Sequence, residues 1–156
     1  MGLLSFIKGV GEKIFQKDEA GTASHPAEVA EPLRASALLA YIKSLGLPYN
    51  NLSVKTSQHA VILEGNVAWQ EDAEKIALAV GNVEDVDLVD NRIEVVAPTA
   101  AARFHTVERG DTFSKIAQTY YYGNMTQYPV IFEANKPMLK NPDLIYPGQT
   151  LRIPAL

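Results

Sequence analysis

Phe104-His105-Thr106-Val107-Glu108-Arg109-Gly110-Asp111-Thr112-Phe113-Ser114-Lys115-Ile116-Ala117, answered later by Tyr146-Pro147-Gly148-Gln149-Thr150-Leu151-Arg152-Ile153-Pro154, frames the last third of the chain. A short strand runs into Gly110-Asp111-Thr112, where Asp111 or Thr112 can cap a helix that carries Ile116 and Ala117. A Tyr-Gly loop follows. Thr126 is then placed to cap a second helix, with Pro129 in its tolerated first turn and Val130, Ile131 and Ala134 as its apolar contacts. That helix ends in Glu133-Ala134-Asn135, and a Pro-Gly-Gln turn starts the final strand. The order is strand, helix, helix, strand.

Upstream, residues 97–103 lack periodicity and read as a link. A flexible link of that length reaches roughly 15 Å, so the segments it joins can touch without being forced to. Before it, Leu38, Tyr41, Ile42 and Leu45 make a helical stripe that stops at Gly46. Leu52, Val54 and Thr56 alternate, then Val61 and Leu63, with Ser57-Gln58-His59 between them, which predicts a hairpin. Gln70 to Val80 predicts a second helix with Ala73, Ile76, Ala77 and Val80 on one face and Gly81 at its end. Val86 and Leu88, then Ile93 and Val95, give a closing strand with an irregularity at Asp90-Asn91. At the start, Leu3, Ile7, Val10 and Ile14 recur at helical spacing, which predicts an amphipathic helix over 2–16 weakened by Gly9 and Gly11. Residues 17–31 are small and polar, a connection.

The 156 residues suffice for one medium domain or two small ones. A net charge of −4 gives no basic footprint for nucleic acid. The absence of cysteine excludes disulfides and thiol chemistry. No run approaches a membrane span, so no transmembrane segment is expected. The apolar run at the N-terminus is broken by Lys8, and Glu12-Lys13 follow, unlike a secretory signal. Phe6 stands where a myristoylation pattern needs Ser or Thr. The expected location is cytoplasmic.

The Phe104–Pro154 pattern resembles the LysM domain, a module associated with N-acetylated glycans. The upstream order, with Val61-Ile62-Leu63-Glu64-Gly65-Asn66-Val67 as strand and turn, resembles the BON domain. The two together, after a short amphipathic segment, resemble a family of bacterial cytoplasmic potassium-binding proteins. Ala79-Val80-Gly81-Asn82 and Ile131-Phe132-Glu133-Ala134-Asn135-Lys136-Pro137-Met138-Leu139 add to that resemblance. The fold class it implies is α+β: an N-terminal BON domain (αββαβ with an extra N-terminal helix) and then a LysM domain (βααβ). The expected boundaries are helix 1–16, polar linker 17–31, BON 32–96, linker 97–103 and LysM 104–156. The implied function is a non-enzymatic K+ sensor or ion-responsive switch whose modules compact on binding. A monomer is expected, with a protein partner through the LysM surface as a further expectation.

Potassium is a large, weakly hydrated cation suited to neutral carbonyl oxygens. Helix C-termini offer such carbonyls. Val80-Gly81-Asn82-Val83 and the glycine-flanked Ile7–Gly11 segment are the two places of that kind. Their side chains are apolar, so ligation there must be by backbone. The resemblance carries the ligand set to Ile7, Val10, Gly81, Val83 and Val86; the alternative is core valines and a capping glycine. It also places a glycan groove at Gly110, Asp111, Thr112, Met138, Leu139 and Asn141, with Tyr120-Tyr121-Tyr122 as groove wall or core. The competing function is an envelope adaptor that holds peptidoglycan through LysM.

Other constellations carry less. Glu84, Asp85, Asp87 and Asp90 lack calcium-loop spacing, because Leu88-Val89 break it; they read as a solvated sheet edge, with Asp85 and Asp87 on one strand face. His25, His59 and His105 have no zinc-ligand spacing. No nucleophile is paired with a base in any known catalytic motif, so no enzyme is expected.

Overall fold

The structure, a computed structural model, describes residues 2–5, 31–84 and 86–156. α1 (Glu31–Leu45) leads through Gly46, whose φ of 73° turns the chain, into the hairpin of β2 (Asn51–Ser57) and β3 (Ala60–Trp69). α2 (Gln70–Gly81) then crosses over to β4 (Leu88–Ala97), which lies parallel to β3. β1 (Gly2–Ser5) pairs antiparallel with the far side of β4, giving the order β1-β4-β3-β2. Val61, Leu63 and Val67 of β3 and Val89 and Ile93 of β4 point to one face, where Leu38 and Ile42 of α1 and Ile76 and Val80 of α2 cover them.

The smaller module is β5 (Arg103–Thr106), α3 (Phe113–Tyr120), a 3-10 turn at Met125–Gln127, α4 (Tyr128–Ala134) and β6 (Thr150–Ile153). β5 and β6 pair antiparallel over a core of Val107, Phe113, Ile116, Ile131 and Leu151. The architecture is therefore α+β, as expected. No helix among the described residues is long and apolar enough to cross a membrane.

Five local expectations are corrected. The helix expected over 2–16 does not include Gly2–Ser5, which form β1; the rest of that range lies outside the described residues. Helical spacing loses there because β4 offers a row of unpaired N–H and C=O groups, while nucleating a helix costs free energy. Gly65 is not a turn: β3 continues through it to Trp69. β4 has no break at Asp90-Asn91, because β1 and β3 hold both residues from either side, and Val89 rather than Leu88 points into the core. The acidic stretch is not a sheet edge, since β4 is an interior strand; Glu84 and Asp87 lie in the loop before it, Asp85 is outside the described residues, and Asp90 pairs with Arg92 at 2.7 Å. Thr126 does not cap α4: it sits inside the 3-10 turn, which Asn124 caps, and α4 starts with Pro129 in its first turn. Thr112, by contrast, caps α3 as read, accepting from Lys115 N at 3.2 Å.

The link after residue 97 is shorter and tighter than its composition implies. Ala97 closes β4, Arg103 opens β5, and Ala102 N donates to Glu74 Oε2 of α2 at 2.9 Å. The two modules are docked on each other through α2 and β6.

Candidate functional site

α2 is buried on two sides. Ala73, Ile76, Ala77 and Val80 face the sheet. Glu74, Leu78 and Asn82 recur every four residues and so form a second stripe, which is also buried. Leu78 is 1% exposed yet belongs to neither module's core. Its place is the junction. All four residues of β6 are buried: Leu151 and Ile153 turn to their own core, and Thr150 and Arg152 meet α2.

Two clasps close this junction. Glu74 Oε1 pairs with Arg152 Nε at 2.9 Å, while its other oxygen takes Ala102 N. Asn82 grips the backbone of Thr150 from both ends: Thr150 N donates to Asn82 Oδ1 at 2.9 Å, and Asn82 Nδ2 donates to Thr150 O at 2.8 Å. The same Nδ2 also donates to Leu78 O at 3.1 Å. Asn135 does the same to the next outward-facing residue of β6, bonding Arg152 N at 2.7 Å and Arg152 O at 3.0 Å. Two carboxamides, one from each module, thus occupy the free edge of β6 as a neighbouring strand would.

Asn82 is also the C-cap of α2, with φ −84° and ψ 10°. Beyond it the chain turns tightly. Val83 N donates to Val80 O at 3.2 Å, Val86 N to Val83 O at 3.0 Å, and Asp87 N to His59 O at 2.8 Å. Val80, Val83 and Val86 are fully buried, so their side chains are committed to the core and the main chain is what this loop can offer a ligand. Each carbonyl oxygen has two lone pairs, and the turn uses one of Val83 O. The helix dipole leaves this end negative. Among the described residues no three His, Cys, Asp or Glu converge to hold a metal. Main-chain carbonyls, such as those of Gly81, Val83 and Val86, are neutral oxygen donors, a chemistry that suits a potassium ion better than a transition metal.

Of the expected cation ligands, Gly81, Val83 and Val86 come together in this loop, while Ile7 and Val10 lie outside the described residues. β1 runs toward the same place, because its last residue, Ser5, pairs with Leu88, two positions past Val86.

The expected glycan groove divides. Asp111 and Thr112 line a cleft of about 550 Å³ with Tyr128, Pro142 and Asp143. Met138 and Leu139 instead line a separate cleft of about 450 Å³ at the junction, with Tyr41, Asn82 and Gln149. Asn141 holds the loop between, accepting from Asp143 N, and Gly110 turns the chain with φ 90°. The 120–122 tyrosines line neither cleft. Tyr120 packs on the core, Tyr121 donates to Pro154 O at 2.7 Å, and Tyr122 is exposed.

Asp111 also organises the strand-to-helix turn. Its Oδ2 meets His105 Nε2 at 2.8 Å and accepts from Glu108 N at 2.9 Å. Burial pushes the carboxyl up; the Glu108 backbone bond, then the His105 bond and charge and the Lys115 charge, outweigh it and hold the carboxyl below its ordinary range. A depressed carboxyl stabilises the fold above its unfolded value, and that stabilisation is lost as pH falls through the folded value. Asp111→Ala is expected to cost about 1–2 kcal/mol near neutrality. The gap to wild type should shrink below pH 4, as read by urea unfolding at both pH values; an unchanged gap in acid would refute this account.

Comparison with known proteins agrees with this architecture. The BON domain family model matches residues 32–97, and the LysM domain family model matches 105–154. A relative from Escherichia coli O6:H1, the potassium binding protein Kbp, is 39% identical over 155 residues, covering 99% of both chains. An uncharacterised protein from Deinococcus radiodurans is 38% identical over 133 residues, which is 78% of this chain and 51% of that one.

Proposed function

The chain belongs to the family of the potassium binding protein Kbp, a BON domain followed by a LysM domain, and from that premise we propose that it binds potassium ion as a non-enzymatic, ion-responsive switch. The ion is held by main-chain oxygens of Ile7, Val10, Gly81, Val83 and Val86. The protein works in the cytoplasm as a monomer, and the LysM surface is free to meet a protein partner. The observation that carries this reading is the near full-length identity to a potassium-binding relative. The loop chemistry at 81–86 supports it, and so does the direction of β1. Ligation that joins the N-terminal segment to this loop acts beside the α2–β6 junction, which links ion binding to compaction.

A ligand that binds only the folded form adds RT ln(1 + [L]/Kd), roughly 2.7 kcal/mol at a hundredfold excess. For a chain of this size that raises the melting midpoint by roughly 5–10 °C. Melting in potassium chloride against sodium chloride at equal ionic strength reads the effect. Equal midpoints over a wide concentration range would end the proposal. A peptidoglycan adaptor is the second reading, favoured by the open Asp111–Asp143 cleft, which lies away from the junction. Retention on insoluble peptidoglycan with no response to potassium would put it first.

A further inference from the structure

We propose that Asn82 is a positioning residue for the cation loop, and that through it the LysM module helps to set the geometry of the ion site. The inference rests on the potassium reading above and adds a residue that touches no ion. Asn82 stands between Gly81 and Val83, and it is 5% exposed. Its carboxamide is anchored at Thr150 N, Thr150 O and Leu78 O, with Met138 Sδ 3.4 Å away. A side chain bonded at three points cannot change rotamer without leaving buried polar groups unpaired. Its Cα is thereby fixed, together with the two peptide planes that meet there. One of those planes carries Gly81 O, and the next residue carries Val83 O. The loop geometry is therefore set partly by β6, 68 positions further along the chain.

The chemistry requires asparagine. Thr150 presents both a donor and an acceptor, and Leu78 a second acceptor, so the side chain must accept once and donate twice. Aspartate cannot donate, and alanine leaves Thr150 N and Thr150 O unmet, while Leu78 O keeps only the backbone bond from residue 82 N at 3.0 Å. Asn135 provides an internal comparison. It makes the same bonds to Arg152 N and O and to Ile131 O, but it lies in α4's C-cap, away from the 81–86 loop.

Calorimetric titration of the full-length, ion-free chain with potassium chloride tests the idea. Wild type, Asn82→Ala, Asn135→Ala and Thr150→Pro are compared, each at a temperature where circular dichroism shows it folded. Thr150→Pro deletes the N–H that Asn82 accepts, leaves Asn82 in place, and covers the case in which Asn82→Ala does not fold. If the loop holds its competent geometry only a tenth of the time without the clasp, the apparent affinity drops tenfold. We expect at least that loss for Asn82→Ala and Thr150→Pro, and less than threefold for Asn135→Ala. Hydrogen exchange on the ion-free proteins should show faster exchange at the Val83 and Val86 amides in the first two only. Wild-type binding with unchanged affinity in Asn82→Ala or Thr150→Pro overturns the positioning role alone. An equal loss in Asn135→Ala overturns it as well, because the effect would then be general loosening of β6. No binding by wild type removes the potassium reading itself.

Discussion

Glu74→Ala lowers the unfolding free energy by about 3–5 kcal/mol, because it strands the Arg152 guanidinium in the junction without its partner. Both side chains are nearly buried, at 6% and 10% exposure, and the pair closes at 2.9 Å. The change also orphans Ala102 N, the bond that ties the connecting segment to α2. Urea unfolding followed by fluorescence and circular dichroism measures the loss. It should also separate one cooperative transition into two, since the clasp joins modules that each have their own core. Glu74→Leu with Arg152→Met together should cost far less than Glu74→Ala, because no charge is then left buried alone. A loss under about 1 kcal/mol for Glu74→Ala would mean that the pair behaves as an exposed one and does not hold the junction.

Gly65→Ala should be at least as damaging. Gly65 has φ 140°, a conformation closed to residues with a Cβ. A methyl group there would overlap Asn51 O and lie 2.8 Å from Asn51 C and 2.9 Å from Leu52 Cα. These are backbone atoms of β2, so no side chain can swing aside; the hairpin register must open where Leu52 pairs with Gly65. The expected cost is about 4 kcal/mol or more, at the extreme of single substitutions. Thermal melts of the variant beside Gly46→Ala give the comparison. Gly46 also has positive φ, but open space surrounds its Cβ position, so only the backbone strain of roughly 1–2 kcal/mol applies. Equal losses for the two would show that the contact with β2 is irrelevant.

Local pattern carried most of the fold. The β2–β3 hairpin, α2 with its sheet-facing stripe and the capped start of α3 each follow from residues close in sequence. β1 was not legible in that way, because Gly2–Ser5 acquire their strand from β4, nearly ninety positions away. The turn that follows α2 was legible as a helix end with apolar neighbours and a glycine. The stripe of Glu74, Leu78 and Asn82 was present in the sequence at helical spacing. On an isolated module, though, Glu74 and Asn82 belong on a solvated face, and Leu78 is a lone apolar residue among them. The groove expected around Asp111 and Met138 divided because the loop before β6 also serves the junction.

Sequence alone determined two modules, their order and the glycine-marked end of α2, since periodicity and capping act over a few residues. Only the tertiary structure decided that the modules share α2, that β6 finds its missing neighbour in two asparagines, and that Glu74 and Arg152 are charges under cover. Burial of a polar group becomes favourable only when its partner arrives, and here those partners stand 68 and 78 positions apart along the chain.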